Sequence, residues 1–162
     1  MQIGLLSMQT PEDLQWMTKT LKLAKRAASL GEVPIGAIVV SEGQMISSAF
    51  NWRETGKSPL AHAELIALHR AARKLGRWRL WGCTLYVNLE PCVMCAGALV
   101  NSRIDRVVYG AADPKGGAVE TLYKILEDKR LNHRPIVTSG VLESESAEIL
   151  SGFFAVLRRN KN

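Results

Sequence analysis

Residues 83–101, CTLYVNLEPCVMCAGALVN, determine the fold class that we predict for this chain. The part from Cys83 to Leu89 has the pattern of a strand, and the part from Cys92 to Asn101 has that of a helix. Pro91 lies where the first turn of a helix tolerates proline. A strand that leads into a helix in this way is typical of α/β proteins, in which helices cover a sheet.

Helix and strand signals alternate along the rest of the chain, without internal repeats or a linker that would divide it. Thr10 is a candidate N-cap of a first helix, and Gly31 is the residue that we expect to end it. The other predicted elements are strands at Pro34–Val40, Met45–Phe50, Arg106–Gly110 and Pro135–Val141, and helices at Ala61–Leu75 and Ser146–Arg159. We therefore expect one α/β domain over residues 1–162, with a central mixed β-sheet flanked by helices and a flexible N-terminal segment at 1–9.

The composition is that of an ordinary globular protein, with 47% hydrophobic and 22% charged residues in a chain of 162. No apolar run approaches the roughly 20 residues of a membrane helix, so we expect a cytoplasmic protein with no membrane partner. Three cysteines, an odd number, favour a metal or redox site over a disulfide framework. The net charge of +6 favours a polyanionic partner without establishing one.

Cys92 and Cys95 are the first candidate metal ligands. Their i, i+3 spacing near a helix start turns both sulfur atoms toward one face. The positive end of the helix dipole also lowers the pKa of a thiol there, which favours the thiolate that a metal binds. A single CxxC pair also occurs in redox proteins, so the pair alone leaves both functions open.

His62 and Glu64, at the start of another predicted helix, complete the candidate site. One imidazole and two thiolates form a three-ligand set that leaves zinc an open position for water. Glu64 lies about 200° around a regular helix from His62, so the two side chains can hardly bind the same ion in the same way, and we expect Glu64 to act beside the metal ligands. Taken singly, His62 is also explained as a buried histidine and Glu64 as a carboxylate that complements the helix dipole.

Together the two segments resemble the HxE and PCxxC signature of the zinc nucleobase deaminases. Within that superfamily the chain is most similar to the bacterial tRNA-specific adenosine deaminases, over nearly its whole length. Ser146 departs from the pattern, since relatives often have cysteine there, and so does Gly152, where an acidic residue is common. The stretches that carry the similarity are LEPCVMCAGA at 89–98, RI at 103–104, VVYGA at 107–111, Asp113 with Lys115 and Gly117, NHR at 132–134 and FF at 153–154.

The resemblance implies a cytidine deaminase-like α/β/α fold, one Zn²⁺ per subunit and a homodimer. It implies hydrolytic deamination of the wobble adenosine in the anticodon loop of tRNA, with hydroxide attack at adenine C6 and Glu64 as the proton shuttle. The products are inosine and ammonia. It also implies that Asn51 contacts the purine, that Asp113 contacts ribose or neighbouring nucleotides, and that Arg158 binds RNA. From the residues alone, Asn51 and Asp113 are better explained as turn residues, Asn51 closing a strand and Asp113 in an Asp-Pro turn.

Two other functions remain open at this point. A deaminase of a free base or nucleotide, such as cytosine, guanine or CMP, would use the same metal motifs. An RNA-binding module with a structural zinc would need a fourth protein ligand, and only three are evident.

The basic stretch at 70–79 is explained equally well as an RNA contact or as a solvated face. We expect Cys83 in the core, and Trp78 and Trp81 in the core or an interface.

Overall fold

The computed structural model describes residues 8–161. Residues 1–7 and 162 lie outside this part of the chain, and so does most of the predicted flexible segment, 1–9. In chain order the elements are α1 (Pro11–Ser29), β1 (Gly36–Ser41), β2 (Gln44–Phe50), α2 (Ala63–Leu75), β3 (Cys83–Leu89), α3 (Val93–Asn101), β4 (Arg106–Ala111), a short 3₁₀ helix (Ile125–Glu127), β5 (Ile136–Thr138) and α4 (Glu143–Asn160).

The five strands form one mixed sheet in the order β2-β1-β3-β4-β5. Strand β1 is antiparallel to both β2 and β3, whereas β3, β4 and β5 run parallel to one another. Helix α3 connects the parallel strands β3 and β4, which is the crossover that parallel pairing requires. The predicted α/β fold with a mixed sheet is confirmed.

Side chains of β3 show how helices cover both faces of the sheet. Leu85 and Val87 belong to the cluster that includes Leu99 of α3, and Tyr86 belongs to the cluster that includes Met17 of α1. Successive side chains of a strand point to opposite faces, so this alternation places α1 on one face and α3 on the other. No helix among residues 8–161 is long and apolar enough to cross a bilayer.

The last strand and the last helix differ from their predicted bounds. Strand β5 begins after Pro135, which has no N–H to donate to the sheet. It ends before Gly140, whose φ of +78° turns the chain away. Helix α4 begins at Glu143, three residues before the predicted start at Ser146. The expected strand to Val141 is therefore wrong in length, although its place in the sheet is right.

One edge of the sheet collects the ends of three strands. Leu89 of β3 pairs with Ala111 of the parallel strand β4, and Phe50 at the end of β2 pairs with Gly36 at the start of β1. Because β1 is antiparallel to both β2 and β3, the carboxyl ends of β2, β3 and β4 all lie at this edge. The residues that follow these strands include Asn51, Cys92 and Asp113.

Candidate active site

His62 and Cys92 occupy equivalent positions at the starts of two helices. Each is the N-cap residue, with an extended backbone (φ −76°, ψ 144° for His62; φ −75°, ψ 177° for Cys92). Neither side chain makes the capping hydrogen bond that an N-cap residue commonly supplies. Both side chains are therefore left to meet each other and Cys95, which lies in the first turn of α3.

The structure brings His62, Cys92 and Cys95 together. The His62 Nδ1 atom lies 3.7 Å from Cys92 Sγ and 3.6 Å from Cys95 Sγ. The three donor atoms all lie within 4.8 Å of one another, as ligands of a single metal ion must. Cys95 is buried, whereas His62 and Cys92 are partly exposed, so the cluster is open to solvent on one side.

Glu64 lies in the first turn of α2 with its carboxyl group buried. Among the described residues, its Oε2 atom has no hydrogen-bond partner. Burial raises the pKa of Glu64 to about 7. The 200° separation expected for a regular helix does not apply, because the helix starts at Ala63 and His62 has an extended backbone. Glu64 nevertheless stands outside the three-residue cluster that could hold a metal.

The charges of the metal-free cluster are set by its own hydrogen bonds. A hydrogen bond from the Cys95 thiol lowers the pKa of Cys92 to about 4. The same interaction, together with burial, raises the pKa of Cys95. The hydrogen bond with Cys92 raises the pKa of His62 above its ordinary value. Cys92 is thus a thiolate at neutral pH, whereas Cys95 keeps its proton until a metal displaces it.

Asn51 supplies the helix cap that His62 does not. Its Oδ1 atom accepts a hydrogen bond of 2.9 Å from the backbone N–H of Ala63, and its side chain is buried. Its backbone N–H donates to the carbonyl of Ile35, directly before β1. Asn51 therefore joins β1 to the helix that carries His62 and Glu64.

Asp113 lies in the loop after β4, where it forms a turn. Its Oδ1 atom accepts hydrogen bonds from the backbone N–H groups of Lys115 and Gly116. This is the turn geometry that aspartate commonly adopts before a loop. The Oδ2 atom makes neither of these two bonds. A turn role and a substrate contact are therefore compatible at Asp113.

Glu90 is the important residue to which sequence analysis assigned no role. It is buried between β3 and the metal-site residues, and it accepts hydrogen bonds from Asp113 and from residues 119–121. Burial alone would raise the pKa of Glu90, but hydrogen bonds from Thr121, Glu120 and Asp113 hold it below the ordinary value. The available signal was an acidic residue directly before Pro91 in an otherwise apolar stretch.

Comparison with known proteins agrees with this geometry. A family model for MafB19-like deaminases matches residues 11–158. A tRNA-specific adenosine deaminase of Bacillus subtilis is 51% identical over 150 residues, which are 93% of this chain and 93% of that protein. The chain belongs to the tRNA-specific adenosine deaminase family. It is therefore an enzyme, a hydrolytic deaminase.

Solved structures of related deaminases have the same fold as this member of the tRNA-specific adenosine deaminase family. One, from a study of A-to-I editing by tRNA:A34 deaminases at the wobble position of transfer RNA, is 46% identical with a TM-score of 0.81. That match covers 84% of this chain and 99% of the other. A guanine deaminase from Nitrosomonas europaea is 26% identical with a TM-score of 0.72, over 91% of this chain and 86% of the other.

Other residues that the sequence pointed to are not members of the three-residue cluster. Arg158 is exposed near the end of α4. Cys83 is buried in the core at the start of β3, as expected, at the opposite end from the cluster. Trp78 and Trp81 are each 55% exposed, so they do not lie in the core, and an interface is the alternative that stays a prediction. They flank the Arg79 guanidinium, which lies 4.1 Å from the Trp78 ring centroid and 5.4 Å from that of Trp81.

Proposed function

We propose that this enzyme deaminates adenosine to inosine at the wobble position, in the anticodon loop of tRNA. The observation that carries the proposal is the buried Glu64 carboxyl group, whose Oε2 atom has no partner among residues 8–161, beside a His/Cys/Cys cluster. Membership in the tRNA-specific adenosine deaminase family supports adenosine in tRNA as the substrate. A binding module with a structural metal would have no use for such a carboxyl group.

We propose one Zn²⁺ per subunit, held by His62, Cys92 and Cys95. Tetrahedral zinc, with Zn–S bonds of about 2.3 Å and Zn–N bonds of about 2.0 to 2.1 Å, keeps sulfur and nitrogen ligands about 3.5 to 3.6 Å apart. The observed sulfur–nitrogen distances of 3.6 and 3.7 Å are close to this spacing. When bound, zinc supplies Lewis-acid chemistry that lowers the pKa of water to about 7 in favourable sites.

Glu64 carries the protons of the reaction. A carboxyl group with a pKa of about 7 exchanges between its acid and base forms near neutral pH, as an acid–base catalyst requires. In the proposed reaction it accepts one proton from water and delivers it to ring N1 of adenine. It then accepts the second proton from the hydroxyl group added at C6 and passes it to the amino group that leaves C6. The C6–N bond breaks and a C6–O bond forms, so adenosine and water give inosine and ammonia.

The sheet edge supplies the substrate contacts. We propose that Asn51 contacts the purine, that the Oδ2 atom of Asp113 accepts a hydrogen bond from a ribose 2′-hydroxyl, and that Arg158 binds an RNA phosphate. A carboxylate only accepts hydrogen bonds, which suits a hydroxyl donor that deoxyribose lacks. The net charge of +6 favours approach to RNA. An unpaired loop presents the base without the cost of opening a duplex.

Helix α3 supports the proposal of a homodimer. Val93 on its first turn is 52% exposed, although it is apolar, and Met94 is partly exposed beside it. Gly97, one turn further, has open space where a side chain would be, so another helix can approach closely. A second copy of the chain would cover this face.

Thiolate ligands and a tRNA substrate both fit a cytoplasmic location.

The experiment that tests the proposed function offers the purified enzyme four substrates. They are tRNA with adenosine at the wobble position, free adenosine, free cytosine and free guanine. We expect inosine in the tRNA and no turnover of the free compounds. Turnover of free guanine alone would instead support the activity of the Nitrosomonas europaea relative.

A further inference from the structure

We propose that Glu90 is a positioning residue that fixes the loop at 113–121 against the metal site and thereby sets the preference for RNA over DNA. The proposal rests on the proposed function, because it assigns the ribose contact to Asp113. Glu90 is 2% exposed and directly precedes Pro91 and Cys92. It therefore joins a candidate metal ligand to the loop on the substrate side.

Both carboxylate oxygens of Glu90 accept hydrogen bonds from this loop. Oε1 accepts from the backbone N–H groups of Val119 (3.2 Å), Glu120 (2.7 Å) and Thr121 (2.9 Å). Oε2 accepts from the backbone N–H of Asp113 (3.0 Å) and from the Thr121 hydroxyl (2.5 Å). A carboxylate accepts all five because it has no donor of its own, whereas an amide would present an N–H group to one set.

Backbone contacts show that the loop packs directly on the metal-site segment. The N–H of Ala118 donates to the carbonyl of Pro91 (2.9 Å), and the N–H of Glu90 donates to the carbonyl of Ala111 (2.8 Å). Gly117 packs so closely on the Glu90 carboxylate that a Cβ atom there would collide with it. The loop thus has a defined position relative to Cys92, and the Glu90 side chain holds it at both ends.

The bond to Asp113 links this position to substrate choice. Oε2 of Glu90 holds the backbone of Asp113, while Oδ1 of Asp113 holds Lys115 and Gly116. The direction of the remaining oxygen, Oδ2, is therefore fixed from both sides. Releasing Glu90 would let this oxygen move away from the ribose without changing the metal ligands.

The variant Glu90→Gln separates these bonds. The backbone N–H groups of residues 119–121 all point at one oxygen of Glu90, so the amide oxygen of the glutamine takes that position and still accepts from them. The NH₂ group of the glutamine then faces the N–H of Asp113, and two donors cannot form a hydrogen bond. The Thr121 hydroxyl can reverse and accept from that NH₂ group. The control Thr121→Val removes the hydroxyl bond alone and leaves the bond to Asp113. Glu90→Gln therefore acts mainly on Asp113.

The test measures kcat/KM on an RNA stem-loop and on a DNA hairpin of the same loop sequence, at one salt concentration. We expect Glu90→Gln to lower the ratio of kcat/KM on RNA to kcat/KM on DNA about tenfold, through a higher KM for RNA, while its zinc content stays unchanged. Thr121→Val should leave this ratio near the wild-type value. Asp113→Asn should lower the ratio similarly, and adding Glu90→Gln to it should have no further effect. Equal losses on RNA and DNA, or multiplied losses in the double variant, would overturn the proposal.

Amide hydrogen exchange supplies a readout that does not depend on activity. We expect the Asp113 amide to exchange at least tenfold faster in Glu90→Gln than in Thr121→Val, because only the former loses its acceptor. Unchanged protection at Asp113 would overturn the positioning role even in an active enzyme. If the wild type deaminates neither nucleic acid, the proposed function is wrong, and faster exchange would still show that Glu90 holds the loop.

Discussion

The Oδ1 atom of Asn51 accepts a hydrogen bond from the backbone N–H of Ala63 at 2.9 Å, next to His62. His62 is the N-cap residue of this helix but makes no capping bond with its side chain. Asn51 thus satisfies a helix-start N–H group that His62 leaves free while its imidazole faces two cysteines. Because the backbone N–H of Ala63 can only donate, the atom of the Asn51 side-chain amide that faces it must be the oxygen. The Nδ2 group is then the donor that we propose for the purine.

Two substitutions at Asn51 separate these tasks. Asn51→Asp keeps an acceptor for Ala63 and loses the Nδ2 donor, so we expect near-normal zinc content with kcat/KM on RNA reduced about tenfold or more. Asn51→Ala loses the cap as well and should lower the free energy of unfolding by about 1 kcal/mol. Metal analysis, thermal unfolding and kinetics check both variants. Full activity in Asn51→Asp would exclude Asn51 as the purine contact.

The ligand set predicts which cysteine the metal requires. Cys92→Ala removes a thiolate of the proposed site, so the purified variant should retain little zinc. Cys83→Ala is the matched control, because Cys83 is buried at the other end of β3. It should retain one zinc per subunit. Retention of zinc in Cys92→Ala, or its loss in Cys83→Ala, would show that the ligands are wrongly assigned.

Zinc affinity should rise with pH. In the metal-free protein the pKa values of His62 and Cys95 are raised, so zinc must displace a proton from each. Cys92, with a pKa of about 4, is already ionised above that pH. Below about pH 6.5 the apparent affinity should therefore rise by about a hundredfold per pH unit, and by about tenfold once His62 has lost its proton. Chelator competition from pH 5.5 to 8.5 measures the slope. A pH-independent affinity would contradict the proposed charges.

Glu64→Gln tests the proton shuttle. The amide has nearly the same shape but cannot accept and return a proton, so kcat should fall at least 10²-fold. Zinc content should match the wild type, since Glu64 lies outside the metal cluster. Thermal stability of the metal-free variant should be equal or higher near pH 8, because it lacks a buried carboxylate whose Oε2 atom has no partner within residues 8–161. Turnover close to the wild-type rate would remove Glu64 from the mechanism.

The His62, Cys92 and Cys95 cluster that could hold a metal was largely predictable because its signals are local. The Cys92 and Cys95 pair is read from four successive residues, and the strand Cys83–Leu89 was predicted with its observed bounds. The role of Glu90 was not predictable in the same way, because its partners lie between 23 and 31 positions further along the chain. Only the parallel pairing of β3 with β4 brings them together.

The sequence pattern around Trp78 and Trp81 also did not predict how exposed their side chains are. Trp78 and Trp81 are large and apolar, which favours burial, yet the loop between α2 and β3 leaves both exposed around Arg79. The roles of Asn51 and Asp113 show a related limit. Each makes the turn or cap contact that its residue type suggests, and these contacts leave a second atom for substrate. The observed structural role therefore does not exclude the proposed binding role.

Conversion of the wobble adenosine of tRNA to inosine is the activity that we propose for this enzyme. The most direct measurement is nucleoside analysis of tRNA incubated with the zinc-loaded enzyme, using Glu64→Gln and a tRNA with guanosine at that position as controls. We predict one inosine per tRNA molecule, located at the wobble position, with an equal amount of ammonia and none from either control. If the tRNA stayed unchanged while the same enzyme released ammonia from free guanine or cytosine, the wobble adenosine would not be the substrate.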